Sequence, residues 1–480
     1  MRLSWVEVCS ALRGEILGLF DPEAVPASVT GVSTDNRATM SGDLFFCIRG
    51  PRFDGRDFAA SAVAQGAVAV VADQPLELPN VPVVLVDNAE QALGRLAHAW
   101  RKQASARVVG VTGTAGKTTV KELLAQILEK SGKTARTTKN LNNQLGLPRS
   151  ILATDGDERY WVMEVGISQP GDMDELGSIL EPDLALILNA GSGHTQGLGR
   201  NVARHKAALL RWIAPEGRAL VCVDYPDLRR EAEAAVPSCA SLEFFSGRSQ
   251  KDDTTGVSCS ATYIGPVSGE EFAGMYHLQL GDWSGDVHAP FRGTAGAENV
   301  AAACAAAFCL DLELKNILSG LATAHLPEQR FACSRVGEWL LIDDSYNANP
   351  LSMARMIENA AELVPSSAND RASLVCVLGE MLELGDLADE EHEQLGQVLA
   401  QNGADLVLWK GGQGACVRQG LENAHFEGAF LECSSSEDIV AQLQKHDINR
   451  GVVLIKGSRS NKLEECVNGI RRFMGAADAV

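Results

Sequence analysis

Short apolar runs alternate with segments of helical periodicity along most of the chain. The apolar runs predict buried strands, and the segments between them, such as the one carrying Val120, Leu123 and Ile127, predict amphipathic helices. The predicted strands cover residues 44–48, 67–72, 107–111, 160–165, 184–188, 339–342, 374–378, 406–409 and 452–455. Strands that alternate with helices form mostly parallel sheets with right-handed crossovers. The pattern therefore predicts an α/β protein.

Three segments modify this pattern. An alanine-rich helix is predicted over residues 295–310, with Asn299 near its start. Residues 238–285 are rich in Ser, Thr and Gly and predict short alternating strands. A new domain is predicted from about Pro327, with Arg330 at its start. Because 480 residues are too many for one hydrophobic core, the length predicts about two to four domains.

Residues 110–119, with the sequence GVTGTAGKTT, join a predicted strand, a glycine turn and a predicted helix. Backbone N–H groups of such a turn bind phosphate together with the positive end of the helix dipole. In a phosphate-binding loop, Lys117 would reach the terminal phosphates and the Thr118 hydroxyl would hold Mg²⁺. The spacing departs from the usual Walker form, because Gly113 stands only three residues before Gly116. The pattern favours nucleotide binding, and the alternative is an ordinary turn between a strand and a helix.

Polar residues follow the ends of two predicted strands. Glu164 lies near the end of strand 160–165, and His194 lies in the loop after strand 184–188. Ligands gather at the carboxyl ends of parallel strands, although a single histidine is more often structural than a ligand. The amide-rich loop at 137–148 either makes turns or orients a substrate. The polar loop at 33–37 either binds a ligand at a strand end or is polar only because loops usually are.

Two charged or titratable residues are expected at the surface from their own chemistry. Lys206 lies on a predicted helix, and lysines are mostly exposed. His392 follows an acidic run, which is typical of a solvated helix face.

The chain is acidic, with 42 Lys and Arg against 62 Asp and Glu and a formal net charge of −20. This excess disfavours a nucleic-acid partner, because nothing would compensate the repulsion of phosphates. No apolar run approaches the ~18 residues of a membrane span, and the first residues lack the pattern of a signal peptide. The 12 cysteines are scattered, which predicts reduced, mostly buried thiols in a cytoplasmic protein and neither disulfides nor a zinc site.

With these motifs, the chain resembles the Mur ligases of peptidoglycan synthesis along nearly its whole length. The motif TGTAGKTT at 112–119 is shared by all Mur ligases and by folylpolyglutamate synthetase. STDNR at 33–37 with GDLFF at 42–46 narrows the resemblance to the members that add the third residue or D-alanyl-D-alanine. NNQLGLP at 142–148, DDSYNANP at 343–350 and LGEMLELG at 378–385 are characteristic of the member that adds D-alanyl-D-alanine.

The resemblance implies an α/β fold of three domains. These are a small N-terminal UDP-binding domain at residues 1–88, a central P-loop ATPase with a mostly parallel sheet at 89–325, and a C-terminal Rossmann-like domain at 326–480. The implied reaction is the ATP-dependent joining of UDP-N-acetylmuramoyl-tripeptide and D-alanyl-D-alanine through an acyl phosphate. The implied cofactors are ATP and Mg²⁺, the latter as two ions, and the expected state is a monomer.

The resemblance also implies roles for individual residues. Catalytic roles fall to Lys117, Glu164, His194, Lys206 and Arg330. Metal ligands are Thr118, Glu164, His194 and Lys206, the last as a carbamate formed with CO₂. ATP contacts are Gly113, Thr114, Ala115, Gly116, Lys117, Thr118, Thr119, Asn299, Arg330 and Asp344, of which Arg330 and Asp344 require closure of the C-terminal domain. Substrate contacts are Thr34, Asp35, Asn36, Arg37, Asn142 and Asn143.

Four positions depart from the family's pattern. Asn36 stands where a serine usually contacts uridine. Ala295 and Gly296 replace the His and the first Asn of a G-x-H-N-x-x-N motif near adenine, and only Asn299 remains. Ala208 stands where a glutamate often follows the carbamylated lysine.

Two other classes of protein share parts of this pattern. Folylpolyglutamate synthetase lacks the STDNR and GDLFF region, and the Mur ligase that adds the third residue carries an Asp-Asn-Pro-Arg motif that is absent here. A nucleotide-gated binding protein without ligase activity is the other class. Four intact residues argue against it, because such a protein would tolerate their loss: Lys117, Thr118, Glu164 and His194.

Overall fold

The computed structural model of the chain describes residues 1–17, 27–248, 256–326, 332–365, 372–446 and 450–476. Within these ranges the chain forms three main β-sheets of five, nine and six strands, with helices packed against them. The α/β fold predicted from the apolar runs is confirmed. No helix among the described residues is both long enough and apolar enough to span a membrane.

The N-terminal sheet has the strand order β2-β7-β6-β5-β4, and only β2 runs antiparallel to its neighbour. The polar loop predicted at 33–37 follows the end of β4, where Asn36–Ala38 forms a short 3-10 helix. A helix capped by the Asn88 side chain leads to the next sheet. The elements are β1 (Leu3–Ser4), α1 (Trp5–Leu12), β2 (Glu15–Leu17), β3 (Ser28–Val29), β4 (Gly31–Ser33), β5 (Asp43–Phe46), α2 (Ala59–Gln65), β6 (Ala69–Ala72), β7 (Val83–Leu85) and α3 (Ala89–Gln103).

The central sheet has the order β16-β15-β14-β13-β12-β11-β8-β10-β9, and its strands from β9 to β14 are parallel. The strands β8, β10 and β11 are almost entirely buried, because helices cover both faces of the sheet. The elements are β8 (Arg107–Thr112), α4 (Lys117–Leu128), β9 (Thr134–Arg136), α5 (Gly146–Leu152), β10 (Tyr160–Glu164), α6 (Asp172–Leu180), β11 (Leu184–Ile187), α7 (Thr195–Leu198), α8 (Val202–Ala207), β12 (Arg218–Cys222), α9 (Pro226–Ala235), β13 (Ser241–Ser246), β14 (Val257–Val267), β15 (Glu270–Leu280), β16 (Trp283–Ala289), α10 (Thr294–Cys309) and α11 (Leu314–Ala322).

The short strands predicted over residues 238–285 were wrong in length. The strands β14 and β15 each have 11 residues and form one long antiparallel hairpin. Gly265 and Gly274 lie inside the strands, where the pairing register shifts between Tyr263 and Gly265. Glycine within a strand often marks such an irregularity rather than a turn, so the glycine content suggested more turns than the segment has.

The C-terminal sheet has the order β17-β18-β22-β19-β20-β21, and only the edge strand β17 is antiparallel. Its first helix begins at Pro350 because Asn349 caps it, with the Asn349 side chain accepting from the Ser352 N–H. The elements are β17 (Ala332–Val336), β18 (Trp339–Asp343), α12 (Pro350–Glu362), β19 (Ser373–Gly379), α13 (Ala388–Gln401), β20 (Leu406–Lys410), α14 (Gly414–Asn423), β21 (Ala429–Glu432), α15 (Ser436–Lys445), β22 (Gly451–Lys456) and α16 (Glu464–Ala476).

The alanine-rich helix α10 is buried on nearly all sides. It packs against α4 and β14, and its N-terminal end also meets α12 of the C-terminal sheet. Small side chains allow this close packing, because the helix can approach its neighbours on several faces at once. The start of α10 therefore lies at the junction of the central and C-terminal sheets, beside the site described next.

Candidate active site

A cavity of about 440 Å³ lies between the central and C-terminal sheets. The carboxyl ends of β8, β10 and β11 open towards it, as expected for a ligand site on parallel strands. The central part of the chain contributes Thr114, Ala115, Gly116, Lys117, Thr118, Thr119, Asn142, Asn143, Glu164, His194 and Asn299. The C-terminal part contributes Asp344, Tyr346, Asn349, Arg355, Met356, Asn359 and Lys456.

The turn between β8 and α4 has the shape of a phosphate-binding loop. Gly116 has a φ of +82°, and an added Cβ would lie 2.7 Å from Asn299 Oδ1, so only glycine fits here. The Lys117 ammonium folds back over the turn and donates to the Gly113 carbonyl at 2.8 Å. The first turn of α4 presents its N-terminus to the cavity, which favours an anion at this point. Gly113 belongs to the turn but does not line the cavity.

A buried carboxylate faces this helix terminus. Glu164 is 3% exposed and accepts hydrogen bonds from Thr118 Oγ1 at 3.0 Å and Asn142 Nδ2 at 2.8 Å. Within the described ranges, no cationic side chain forms an ion pair with it. A buried carboxylate without a cationic partner, next to hydroxyl and amide oxygens, provides the hard ligands that Mg²⁺ prefers. The residues present therefore fit a divalent cation at this position.

Lys206 is buried, so the surface position expected from its own chemistry is wrong, and the role as a metal ligand that the resemblance implies stays a prediction. It is 2% exposed on α8, and none of the described residues forms a hydrogen bond or ion pair with its ammonium group. Burial, together with the positive charge of Lys117, holds the pKa of Lys206 well below its ordinary value. Lys206 is buried and is not among the residues that line the cavity.

His194 lies at the boundary between the two sheets. It has a φ of +59° at the start of α7 and lines the cavity. Its Nδ1 contacts the Glu383 carboxylate, and Thr195 Oγ1 donates to the Leu384 carbonyl at 2.9 Å. The hydrogen bond from His194 lowers the pKa of Glu383. His194, the predicted metal ligand, thus pairs with a segment of the C-terminal domain in this structure.

The four predicted substrate contacts at 34–37 lie apart from the cavity, in the segment that follows β4 of the N-terminal sheet. Asp35 and Arg37 form a two-pronged ion pair, and the Arg37 side-chain hydrogen bond lowers the pKa of Asp35 to about 2. Asn36 Nδ2 donates to Ser61 Oγ at 3.1 Å. Thr34 is half-buried beside them. Asn36 is therefore held by a neighbouring serine of its own domain.

The other two predicted substrate contacts, Asn142 and Asn143, line the cavity. Asn142 bonds Glu164, whereas the Asn143 side chain accepts from the Gly146 N–H at 2.9 Å and helps to begin α5. The turn interpretation of this loop therefore holds for Asn143. Both amides remain at the cavity wall, where a ligand can reach them.

The C-terminal domain contributes Asp344, which lines the cavity and forms an ion pair with the buried Lys456. Lys456 also donates to the Asn347 carbonyl at 2.9 Å. The predicted Arg330 lies outside the described residues.

Sequence reasoning missed the cavity face of α12. Ser352, Met356 and Asn359 follow one another at helical spacing and all line the cavity, as does Arg355. The spacing of these residues was visible in the sequence, but the helix that carries them belongs to a different domain from the phosphate-binding loop. Asn359 Oδ1 and Asn299 Oδ1 are buried atoms without a hydrogen-bond partner among the described residues.

His392 is fully buried, so the expectation of a surface position was wrong. Its Nε2 accepts from the Met381 N–H at 3.1 Å, and its Nδ1 lies 2.6 Å from the Ala388 carbonyl. Burial lowers the pKa of His392. The residue holds the segment 381–388 against α13, and the same segment carries Glu383 to His194.

The chain matches three models of the Mur ligase family. These are the Mur ligase middle domain at residues 111–307, the Mur ligase glutamate ligase domain at 329–459 and the Mur ligase family catalytic domain at 28–101. The UDP-N-acetylmuramoyl-tripeptide–D-alanyl-D-alanine ligase of Escherichia coli (strain K12) is 32% identical over 469 residues, which cover 97% of each chain.

Solved structures resemble the chain over the same length. The crystal structure of MurF from Acinetobacter baumannii has a TM-score of 0.84 and 28% identity, covering 98% of this chain and 99% of that chain. The MurF ligase from Thermotoga maritima in complex with ADP has a TM-score of 0.78 and 26% identity, covering 95% of this chain and 100% of that chain.

Proposed function

Because the chain belongs to the Mur ligase family, we propose that it joins D-alanyl-D-alanine to UDP-N-acetylmuramoyl-tripeptide with consumption of ATP. The product is UDP-N-acetylmuramoyl-pentapeptide, a precursor of peptidoglycan. The observation that carries the proposal is the cavity in which the phosphate-binding loop, the buried Glu164 and the amides of 142–143 face one another. The Escherichia coli relative, whose name states these two substrates, matches 97% of the chain and supports the choice of substrates.

The reaction needs an activated carboxylate, because a free carboxylate does not react with an amine in water. The tripeptide carboxylate attacks the γ-phosphate of ATP, which gives an acyl phosphate and ADP. The amine of D-alanyl-D-alanine then attacks the acyl carbon, a C–N bond forms and phosphate leaves. The first step brings a carboxylate against a triphosphate, so the protein contributes chiefly positive charge and correct placement.

The phosphate-binding loop supplies part of that charge. We propose that the N–H groups from Gly113 to Thr119 and the Lys117 ammonium bind the β- and γ-phosphates. Lys117 would exchange its present bond to the Gly113 carbonyl for the phosphate oxygens. This exchange requires only a side-chain rotation, because the loop already has its anion-binding shape.

We propose that a first Mg²⁺ is held by Thr118 and Glu164. A second Mg²⁺ would be held by Glu164, His194 and a carbamate on Lys206. Bound Mg²⁺ would neutralise charge on the phosphates and on the acyl phosphate. His194 would bind the ion through Nε2, because its Nδ1 contacts the Glu383 carboxylate and a histidine that binds a metal often keeps its other ring nitrogen on a carboxylate.

Carbamylation of Lys206 is supported by the burial of its amine. The neutral amine nitrogen attacks CO₂, an N–C bond forms and a proton is released, which leaves a carboxylate-like anion. Burial beside Lys117 favours the neutral amine, and the positive charge of Lys117 would then attract the new anion. A single modification thus turns an unfavourable cation into a metal ligand.

The remaining contacts divide among the domains. We propose that the uridine part of the substrate binds the N-terminal residues Thr34, Asp35, Asn36 and Arg37. The muramoyl-peptide part would bind Asn142 and Asn143. Arg330 is proposed to reach the γ-phosphate and Asp344 the ribose. The base would lie along the start of α10, between Asn299 and Asn359, whose buried carbonyl oxygens have no partner among the described residues.

We also propose domain boundaries near residues 88 and 325 and a monomeric enzyme in the cytoplasm. Eight of the twelve cysteines are buried, and all twelve are free thiols, which is consistent with a reducing compartment.

Phosphate release from ATP tests the proposed function. It should require UDP-N-acetylmuramoyl-tripeptide and D-alanyl-D-alanine together, and Lys117→Ala should abolish it without unfolding the protein, since Lys117 contributes charge and little packing. Phosphate release that depends on a third-residue amino acid would favour the Mur ligase that adds this residue. Phosphate release that depends on folylpolyglutamate and glutamate would favour folylpolyglutamate synthetase. Nucleotide binding with no phosphate release under any condition would favour a binding protein. Normal turnover of Lys117→Ala at saturating ATP would remove the phosphate-binding loop from the mechanism.

A further inference from the structure

A buried ion pair joins the C-terminal domain to the central domain. Arg355, on α12, donates to both carboxylate oxygens of Glu298, on α10. Glu298 is 5% exposed, and the Arg355 side chain is 17% exposed. The Tyr225 hydroxyl donates to the same carboxylate at 2.9 Å and also contacts Arg355. Three side chains from distant parts of the chain thus meet around one carboxylate.

The same carboxylate is connected to the phosphate-binding loop. Glu298 Oε1 accepts from Asn189 Nδ2 at 2.6 Å. Asn189 Oδ1 in turn accepts from the Thr114 and Ala115 N–H groups at 2.9 and 2.8 Å, and Asn189 Nδ2 also donates to the Ala115 carbonyl at 3.0 Å. A continuous series of hydrogen bonds therefore runs from Arg355 to the backbone of the loop.

The two ends of this series belong to different domains. Asn189, Tyr225 and Glu298 belong to the part of the chain that forms the central sheet, whereas Arg355 belongs to the part that forms the C-terminal sheet. If the domains separate, both charges return to water. When the domains approach, each charge loses its hydration and needs the other as its partner. Closure with only one of the two charges present is therefore unfavourable.

From this arrangement we propose that Arg355 is a positioning residue, whose pairing with Glu298 couples closure of the C-terminal domain to the geometry of the phosphate-binding loop through Asn189. The proposal rests on the proposed function only for the choice of an adenine nucleotide as the ligand. Arg355 would act through Glu298 and Asn189, not by direct chemistry on the reacting atoms. The ion pair would thus favour a closed cavity in which the loop already has its binding shape.

The proposal predicts an unusual pattern in a double-mutant cycle. Arg355→Met should leave Glu298 buried without a cation on closure, and Glu298→Gln should leave Arg355 without an anion. Each single variant should bind the ATP analogue AMP-PNP about tenfold more weakly, and its radius of gyration with AMP-PNP and tripeptide substrate should exceed that of the wild type. The double variant Glu298→Gln/Arg355→Met buries no charge at this point, so compaction and affinity should return towards the wild type.

Isothermal titration with AMP-PNP and small-angle scattering measure both quantities on the full chain. The matched control is Arg418→Met, which breaks an exposed ion pair with Glu432 inside the C-terminal domain and should change neither quantity. Arg355→Lys, which keeps the charge and loses the two-pronged contact, should give an intermediate result. It also provides the test if Arg355→Met does not fold.

Wild-type affinity and compaction in the Arg355 variants would overturn the proposal. So would a double variant whose losses are the sum of the two single losses, because that is the pattern of two independent structural contacts. The measurements need no ligation. A wild-type protein that binds AMP-PNP and compacts but forms no amide bond would therefore contradict the proposed function and leave the role of Arg355 standing.

Discussion

Replacing Asn189 with alanine tests whether a side chain outside the phosphate-binding loop holds the loop in shape. Asn189 is fully buried, and its side chain makes hydrogen bonds to the Thr114 N–H, to both backbone groups of Ala115 and to Glu298. In Asn189→Ala the Thr114 N–H keeps a bond to the backbone carbonyl of residue 189 at 3.2 Å. The Ala115 N–H loses its side-chain acceptor, and Glu298 loses one donor.

The size of the effect follows from these losses. An unpaired buried donor costs about 1–3 kcal/mol, and the loss of a hydrogen bond to a charged group costs about 1.5–3 kcal/mol. Water can enter from the adjoining cavity, and Glu298 keeps its ion pair with Arg355. We therefore expect the free energy of unfolding to fall by about 3 kcal/mol, which is in the lower part of the range given by the two costs together. A loss of this size lowers the midpoint of thermal unfolding of a domain as long as the proposed central domain, residues 89–325, by roughly 6–12 °C. Affinity for ADP should fall about tenfold, because the N–H groups that face the phosphates are no longer fixed.

Calorimetry and ADP titration check both expectations. The matched control is Asn201→Ala, because Asn201 is exposed, lies in the segment that follows and makes no side-chain capping bond to α8. The control should behave as the wild type. An unfolding midpoint and an ADP affinity that are unchanged in Asn189→Ala would refute the claim that this side chain shapes the loop.

Three further predictions concern other parts of the site. Lys206→Ala should be nearly inactive and partly rescued by acetate, and full activity in CO₂-depleted buffer would exclude a carbamate. The pKa of Glu383 is lowered by the hydrogen bond from His194, so this domain contact is complete at neutral pH and is lost as the pH falls through the lowered pKa. Glu383→Gln should remove that acid dependence from the radius of gyration, and an unchanged profile would exclude the contact as its cause. Asn359→Leu should weaken ATP binding about fivefold while leaving inhibition by tripolyphosphate, which has no base, unchanged; an equal loss for both ligands would contradict a contact to the base.

The phosphate-binding loop could be predicted from sequence because everything that defines it is local. The apolar strand, the glycine turn and the helical spacing after it lie within residues 107–128, and β8 and α4 form there. The central strands were predicted for the same reason, since buried parallel strands are apolar throughout. Their observed bounds differ from the predicted ones by one or two residues, as for β10. The resemblance to the Mur ligases is confirmed by the full-length relatives.

The connections between domains could not be predicted in this way. Glu298 lies 57 residues from Arg355 and 109 from Asn189 in the chain, and periodicity within one element carries no information about such pairs. His392 shows a different failure. Its acidic neighbours suggested the surface, yet His392, Leu395 and Leu399 follow one another at helical spacing on the buried face of α13. Spacing was the better guide there than local charge.

The roles of His194 and Lys206 as metal ligands stay predictions. The structure buries Lys206 and pairs His194 with Glu383, and neither observation shows an ion. Arg330 stays a prediction as well, because it lies outside the described residues.

Transfer of an oxygen isotope tests the central claim most directly. UDP-N-acetylmuramoyl-tripeptide is prepared with ¹⁸O in the carboxylate that becomes the new amide, and it is incubated with ATP, Mg²⁺, D-alanyl-D-alanine and the enzyme. If the carboxylate attacks the γ-phosphate, one of its oxygens leaves with phosphate when the amine attacks. Mass spectrometry should then find one ¹⁸O in each phosphate released and one in the amide of the pentapeptide product. Phosphate that carries no label while the amide bond forms would contradict an acyl phosphate, and label-free phosphate with no pentapeptide would contradict ligation altogether.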